Sequence, residues 1–576
     1  MIFSKDRYEL ERQVTELITR CFASLSEREP MYDLLRTLYY YGSLEVIDIP
    51  TSYNMILEKV NTLHSFLFAA NTTNFNVEIE NSKASNKYLN ILKAERAAEA
   101  VSDRWHDAKI DLVMDLAVKY SIIYASYFIK LFMRNRKFHP FLVQPWRIGV
   151  LDETKTDINR QEAIAHSYAC TVHQFARDIV NHPNRAEIAS RVQPSNMLNY
   201  SSLYPKGIKR IIFAATEAGA DYPGGTLNRF PIMTAVDKAY TMVDEIDMHE
   251  VWAWDDAEDD WRVFTVANGS VLAWDRFAGD TYKDNGKDVD RRGVLVKGRH
   301  PFLHLRPTPM DDYFFGWPDI FNIVRIQEWH TERLADIRQL HKKALNSPKY
   351  AEGFQGGLMD ERAAAKALNS EGGFYAFKGA QKVGEFKPEL PDSIYTELKD
   401  IRGLVDDMWG LTNITKGQGD TGVRSRGQAE ILSTFGSARL KNKALHVENT
   451  CTEAGSLMYE LMKRNDGRHY SLEDGSTFVL AQIEDEAQVR VDSHSSSPVF
   501  SGELEDKMFA LADRQMIDPG TVIDGLSIFF KDTIKRKARQ KEKEMLKMQL
   551  QAQTDAEKQV IEQERAEEKA KLQTVK

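Results

Sequence analysis

The stretch PDIFNIVRIQEWHTERLADIRQLHKKAL (Pro318–Leu345) and its later counterpart DSIYTELKDIRGLVDDMWG (Asp392–Gly410) decide the fold. In the first, Ile320, Ile323, Val324, Leu334, Ile337 and Ala344 recur at helical spacing. Pro318 opens it, where a missing N–H costs nothing. His341, Lys342 and Lys343 fill its last turn, where cations suit the helix dipole. Such a helix would run roughly 40 Å. In the second, Ile394, Leu398, Ile401, Val405 and Met408 form the stripe, Asp392 or Ser393 caps it, and Gly410 is the expected terminator. This helix would span roughly 27 Å. Two struts are thus predicted with Asn346–Pro391 between them.

That insertion is rich in glycine (Gly353, Gly356, Gly357, Gly372, Gly373, Gly379). It offers an Ala-rich helix at Asp360–Leu368 and strands at Phe374–Phe377 and Lys382–Phe386, a small α/β module at the end of the struts. After the second strut comes a Gly-rich loop, Thr415–Gly422, and then a third helix expected from near Arg424 to Asn465. Gly427, Gly436 and Gly455 inside it would permit bends.

Upstream, residues 1 to about 190 read as mainly helical. Lys5–Arg28, Ala94–Met133 and Gln161–Val180 carry helical or Gly- and Pro-free patterns. Ile110–Met133 contains Asp111, Asp115, Lys119 and Lys130, so it is too charged to span a bilayer and reads as a buried helix. From Met248 to Arg306 the period changes to two. Val251–Trp254, Trp261–Val266 and Val271–Trp274 predict a β-meander, with Asn268-Gly269 as a type I′ hairpin turn. Gly293–Val296 and Phe302–Leu305 predict two further strands. Downstream, Thr477–Val491 returns to strand, Glu503–Arg514 reads as helix, and Asp518-Pro519 caps another. Lys531–Lys576 lacks Gly and Pro and predicts a long charged helix with a loose heptad. The fold class expected is α+β.

With 576 residues the chain can hold several domains. Its net charge of −9 and pI near 5.9 lack the basic excess of a protein that grips DNA. Three scattered cysteines, Cys21, Cys170 and Cys451, imply no disulfide framework, and the N-terminus lacks a signal-peptide pattern. A reducing cytoplasm is the expected place of assembly.

Enzymatic motifs are scarce. There is no GxxxxGK[ST] phosphate loop, HExxH, CxxC or GxSxG, so no catalytic site or cofactor is expected. His166, Cys170 and His173, with His182 as a fourth ligand, would line one face of a helix and suit zinc. A half-buried helix face with ordinary polar contacts is the commoner outcome, and no metal is expected. His300 and His304 would share a strand face, and the same weighting applies. The pairs Asp255-Asp256, Asp259-Asp260 and Asp311-Asp312 could hold a nuclease's magnesium, but turns favour aspartate for local hydrogen bonding. The Gly-rich loop offers Lys416, Arg424 and Arg426 for phosphates, and Gly417, Gly419 and Gly422 for freedom of movement. An ordinary surface loop is the equal alternative.

From about His300 onward the chain resembles the portal proteins of tailed bacteriophages. His300-Pro301-Phe302-Leu303-His304-Leu305-Arg306 resembles the strand that closes the family's wing sheet. Gly316-Trp317-Pro318 with Gln327 resembles the start of its first stem helix. Ser347-Pro348 resembles the break into the clip, Gly422-Val423-Arg424-Ser425 with Gln428 the tunnel loop and following helix, and Asp518-Pro519 a crown element. The order of elements across about 245–530 is more specific than any one motif, and residues 1–240 carry little that matches.

The resemblance implies a wing (1–316 and 467–500), stem helices (317–345 and 392–410) and a clip (346–391). It further implies a tunnel loop (411–423), a long wing or crown helix (424–466), a crown (501–530) and a helical extension (531–576). It implies a ring of twelve at one capsid vertex, assembled in the host cytoplasm and carried in the virion, through which double-stranded DNA is packaged and ejected. The implied partners are the terminase large subunit, the major capsid and scaffold proteins and the head–tail adaptor, with no membrane. Lys416, Gly417, Gln418, Gly419, Asp420, Gly422, Arg424 and Arg426 would face DNA. Phe354, Gln355, Asp360, Glu361, Arg362 and Lys366 would face the motor or adaptor. Twelve copies carry 12 × −9 = −108, an acidic balance that lets a duplex slide without being held. The rival expectations are another virion or coiled-coil scaffold protein, which would form filaments or sheets, and a metal-dependent nuclease.

Overall fold

Asp6 starts the first helix, α1 (Arg7–Cys21), by accepting the amide hydrogens of Tyr8 and Glu9, donors that a helix start otherwise leaves unmade. The structure, a computed structural model, describes residues 1–42, 53–192, 245–279, 295–345, 392–410 and 426–491 apart from short gaps, together with strands at 283–284, 287–288, 349–352, 374–377 and 382–385. The expected helices after residue 500, including the charged tail, lie outside the described residues, as does the helix at 360–368.

The chain continues through α2 (Leu25–Tyr41), α3 (Met55–Leu67), strand β1 (Phe75–Ile79), α4 (Lys87–Asp107) and α5 (Ile110–Tyr124). Then follow β2 (Tyr127–Arg134), β3 (Lys137–Val143), β4 (Ile148–Val150), β5 (Ala163–Thr171), α6 (Val172–Asp178) and α7 (Arg185–Arg191). Strands in this half correct the mainly helical expectation. Ile110–Met133 is not one helix: it breaks at Ala125, which has a φ of 69°, and resumes as β2. Gln161–Val180 is mostly strand β5, with only a short helix after it.

The meander is present as β6 (Glu245–Asp255), β7 (Asp260–Ala267) and β8 (Val271–Phe277). Asn268 and Gly269, with φ of 50° and 70°, make the expected type I′ turn. With β4 and β5 these strands form a five-stranded antiparallel sheet in the order β4-β5-β6-β7-β8. Alternation along its strands serves two layers. Ala163, Ala165, Val251, Ala253 and Phe264 meet Leu10, Val14, Leu17 and Ile18 of α1. Ile164, Trp252 and Val263 point the other way, into a core with Phe128, Phe302, Phe314 and Phe315.

After the two-residue strands β9 (Lys283–Asp284) and β10 (Lys287–Asp288), strand β11 (Phe302–Leu305) leaves the meander and pairs with β2, giving a second sheet of order β11-β2-β3. The strand expected at 293–296 is reduced, where described, to a single bridge between Val296 and Arg299 around Gly298, whose φ is 72°.

Pro318 and a short 3-10 turn (Asp319–Ile323) lead into the first strut, α8 (Val324–Leu345), of 22 residues or roughly 33 Å. Beyond it, β12 (Lys349–Glu352), a strand the sequence did not announce, pairs parallel with β13 (Phe374–Phe377) and antiparallel with β14 (Lys382–Glu385), which fall at the expected strand positions. The second strut, α9 (Asp392–Trp409), returns, and Gly410 with a φ of 70° ends it. Helix α10 (Arg426–Asn465), at 40 residues, is the longest described element. The chain then passes through β15 (Tyr470–Ser471) and β16 (Thr477–Phe478) to β17 (Ala487–Val491), which pairs with β1. Helices α2 to α5, α9 and α10 share the largest core, around the fully buried Trp105, Tyr32 and Leu38.

Candidate functional site

The feature that sets this chain apart is how two long helices leave the body and come back. Ile401, Val405 and Trp409 of α9 are buried in the main core, as are Ile320 and Ile323 just before α8. These five side chains root both struts in the body.

Polar side chains then fix their direction. Gln327 of α8 has no exposed surface. Its side-chain nitrogen donates to the Tyr53 carbonyl (2.9 Å), and its oxygen accepts from the Met55 amide (3.0 Å), so it pairs with the backbone at the start of α3 much as a strand would. Lys59 of α3 reaches Asp406 of α9 at 2.6 Å. Burial works against the Lys59 charge, but the hydrogen bond and field of Asp406, with help from Glu58, outweigh it and raise its pKa. Asp319, buried at the foot of α8, accepts from Thr308 at 3.1 Å and pairs with Lys443 of α10. Three links thus hold the struts to α3 and α10.

Higher on the struts, Arg402 donates to His330 at 3.4 Å and stacks over the Tyr53 ring at 4.8 Å. Burial, and then the Arg402 charge, push the His330 pKa down to about 4. Arg333 joins Glu397 at 2.9 Å, and His341 meets the Tyr395 hydroxyl at 2.7 Å. On the body side of these contacts the struts present exposed apolar side chains: Trp329, Leu404 and Met408 are 37%, 46% and 47% exposed.

The residues singled out for other chemistry have structural employment. His166 and Cys170 lie on β5, roughly 13 Å apart along a strand, while His173 is on α6, so the single helical face that zinc would require does not exist. His304 bonds Ser126 at 2.6 Å, whereas His300 accepts from the Phe302 amide at 3.3 Å, and the two do not converge. Among the described residues no group of three or more His, Cys, Asp or Glu side chains could hold a metal ion. Asp260 is buried and accepts the amides of Trp261, Gly279 and Gly298 at 2.8, 2.6 and 2.7 Å, pinning the ends of the meander's exit loop. Asp255 accepts from Ala257 at 3.0 Å in a tight turn, and Asp311 and Asp312 lie in the turn bridged by Met310 and Tyr313.

The loop residues Lys416, Gly417, Gln418, Gly419, Asp420, Gly422 and Arg424 lie outside the described residues, as do Phe354, Gln355, Asp360, Glu361, Arg362 and Lys366 of the insertion. Arg426 is the first residue of α10.

Sequence reasoning missed the inter-sheet ion pair. Lys130 of β2 contacts both carboxylate oxygens of Glu250 on β6 at 2.7 Å, and Trp252 donates to the same carboxylate at 2.7 Å. Burial would raise the Glu250 pKa, yet Lys130 and the neighbouring His166 outweigh it and bring it to about 2. A lysine within an apolar run was the only signal.

No family model matches the chain, and no curated protein matches it significantly. Among the described residues no helix is long and apolar enough to cross a membrane.

Proposed function

We propose that this chain is the subunit of a viral portal, a closed ring at one capsid vertex through which double-stranded DNA enters and leaves. The observation that carries the reading is the order of parts. An α+β body sends out α8, a small three-stranded sheet follows, α9 returns to the body beside α8, and a Gly-rich stretch of sequence separates it from the long helix α10. A small module on two paired struts suits a tube whose narrow end meets other proteins.

In this reading β12, β13 and β14 form the end that docks the terminase and later the tail adaptor. Residues 411–423 border the channel, and the body contacts the major capsid and scaffold proteins. The reading is further supported by the exposed apolar residues on the struts, which a lone subunit leaves in water. The acidic balance also suits passage of DNA without capture.

Negative-stain electron microscopy with mass photometry tests it on the full chain. Closed rings of about twelve subunits, with a channel wide enough for a duplex, are expected. A monodisperse monomer or dimer across salt conditions, or open filaments, would overturn it.

A further inference from the structure

The two struts carry matching outer stripes. On α8, Arg325, Trp329 and Glu332 follow one another at helical spacing and are all exposed, Arg325 at 92%. On α9, Lys399, Gly403 and Asp407 do the same, flanked by the exposed Leu404 and Met408. The α9 stripe lies about half a turn round from the buried Ile401 and Val405, so it faces away from the core.

The cross-links between the struts set their relative height. The helices run antiparallel and are tied at His330 with Arg402 and at Arg333 with Glu397. Near the body these two ties bring position 325 about level with 407, position 329 with 403 and position 332 with 399, while the outer tie of His341 with Tyr395 lies off this register by more than a turn. From the body outward, α8 reads cation, tryptophan, anion, and α9 reads anion, glycine, cation. In subunits related by rotation about an axis along the struts, equal heights meet.

Gly403 supplies the shape. Glycine in mid-helix disfavours the helix, yet a Cβ at this position would meet nothing within 4 Å, so nothing in its own subunit requires the space. A neighbouring large side chain would use it.

Resting on the ring reading, we propose that the Arg325–Trp329–Glu332 face of one subunit seats on the Lys399–Gly403–Asp407 face of a second copy. The Trp329 ring lies over Gly403; Arg325, which also touches Glu328 of its own helix at 3.3 Å, pairs with Asp407; and Glu332 pairs with Lys399. Two different faces of the same strut pair meet, so the contact is heterologous and propagates round a ring instead of closing as a dimer. An exposed tryptophan seated in a small-residue gap and bordered by opposite charges is the usual composition of an energetic centre in an interface.

The test replaces both positions, Trp329→Cys and Gly403→Cys, in the full chain and applies a short bismaleimide. The native cysteines are buried and stay silent. A ladder of covalent oligomers up to the full ring is expected from the double variant, and no ladder from either single variant. Rings visible by microscopy without a ladder would overturn the contact and leave the portal reading standing. Wild-type protein that never closes into rings would remove both. A charge exchange checks the same contact without cysteines. Arg325→Glu should raise the concentration for half-assembly about tenfold, and adding Asp407→Arg should restore it. Failure of the exchange to restore assembly would also sink the contact.

Discussion

Replacing Lys130 with methionine probes an ion pair that joins the five-stranded sheet to the β11-β2-β3 sheet. In the native chain Lys130 and Glu250 are 13% and 15% exposed, with both carboxylate oxygens 2.7 Å from the ammonium. The methionine fills a similar volume beside Phe132 and Phe302, whose rings now lie 6.0 and 5.6 Å from the ammonium. The loss is therefore almost wholly electrostatic. Removing one partner of a buried pair leaves an uncompensated charge, at a cost of about 3–5 kcal/mol. Adding Glu250→Leu removes that charge and should recover most of the loss, less about 1 kcal/mol for the Trp252 indole deprived of its acceptor. The pH dependence gives a second signature. The folded Glu250 pKa is depressed to about 2 in the native chain, so its contribution is full above the unfolded value of about 4.3 and is lost as pH falls toward 2. Without Lys130, burial dominates and raises the folded pKa above the unfolded one, so the variant is weakest at neutral pH and closes on the wild type as pH falls toward 4. Hydrogen exchange with mass spectrometry, read on peptides covering Tyr127–Arg134 and Glu245–Asp255, reports the local opening free energy of both strands. A change under about 1 kcal/mol, or a deficit equally large at pH 7 and pH 4.5, would refute the reasoning.

Other outcomes follow from the same geometry. Gln327→Leu leaves the Tyr53 carbonyl and the Met55 amide without their partner and should cost about 2–4 kcal/mol; exchange at the start of α3 checks it, and unchanged protection there would count against the clamp. Gly455→Ala places a Cβ 2.4 Å from the Phe75 ring, and overpacking of about 1–3 kcal/mol should outweigh a helix-propensity gain of about 1 kcal/mol; a raised melting temperature would contradict this. His166, His249 and His300 are held neutral by burial, with pKa values of about 3, 4 and 4. Depressed histidine values mean that the unfolded chain takes up protons first, so stability is full above about pH 6.5 and falls as pH drops toward 4. A melting temperature that stays flat down to pH 4.5 would exclude these histidines as the cause.

What the sequence revealed depended on how local its signals were. The struts, the I′ turn at Asn268-Gly269 and the terminating Gly410 were legible because caps, periodicity and turn residues act within a few positions. Strand β5 was not. The run Ala163-Ile164-Ala165 is covered on both faces, by α1 on one and the β2 sheet on the other, and a strand buried on two sides loses the alternation that marks strands. Its alanines are small because α1 comes very close: a Cβ on the adjacent Gly149 would meet the Cys21 carbonyl at 2.5 Å. The break between α4 and α5 was equally hidden, since it rests on Lys109 adopting a φ of 55°, a conformation no local residue type announces. The departure of β11 from the meander is a long-range pairing with β2, and no nearby residue encodes it.

The strut joint divides the same way. Of the predicted stripe, Ile401 and Val405 are buried, but Met408 is 47% exposed and Trp409 takes the core position instead; the partners of Gln327, Lys59 and Asp319 lie 272, 347 and 124 residues away in the chain. Their chemistry bears on what the joint is for. Apolar residues of like volume would often hold such helices at least as stably as buried polar links do. What polar links add is direction, because a hydrogen bond is satisfied at one angle and an unsatisfied buried group is costly at every other. Two helices that run out beyond the body have little packing of their own along the described struts to set their angle. These links fix that angle at the root, through α3 for both struts and through α10 for the first. In the ring proposed above each subunit would have to present the same angle to the next, and a joint built from Gln327, Lys59–Asp406 and Asp319–Lys443 would serve that closure as well as the stability of one chain.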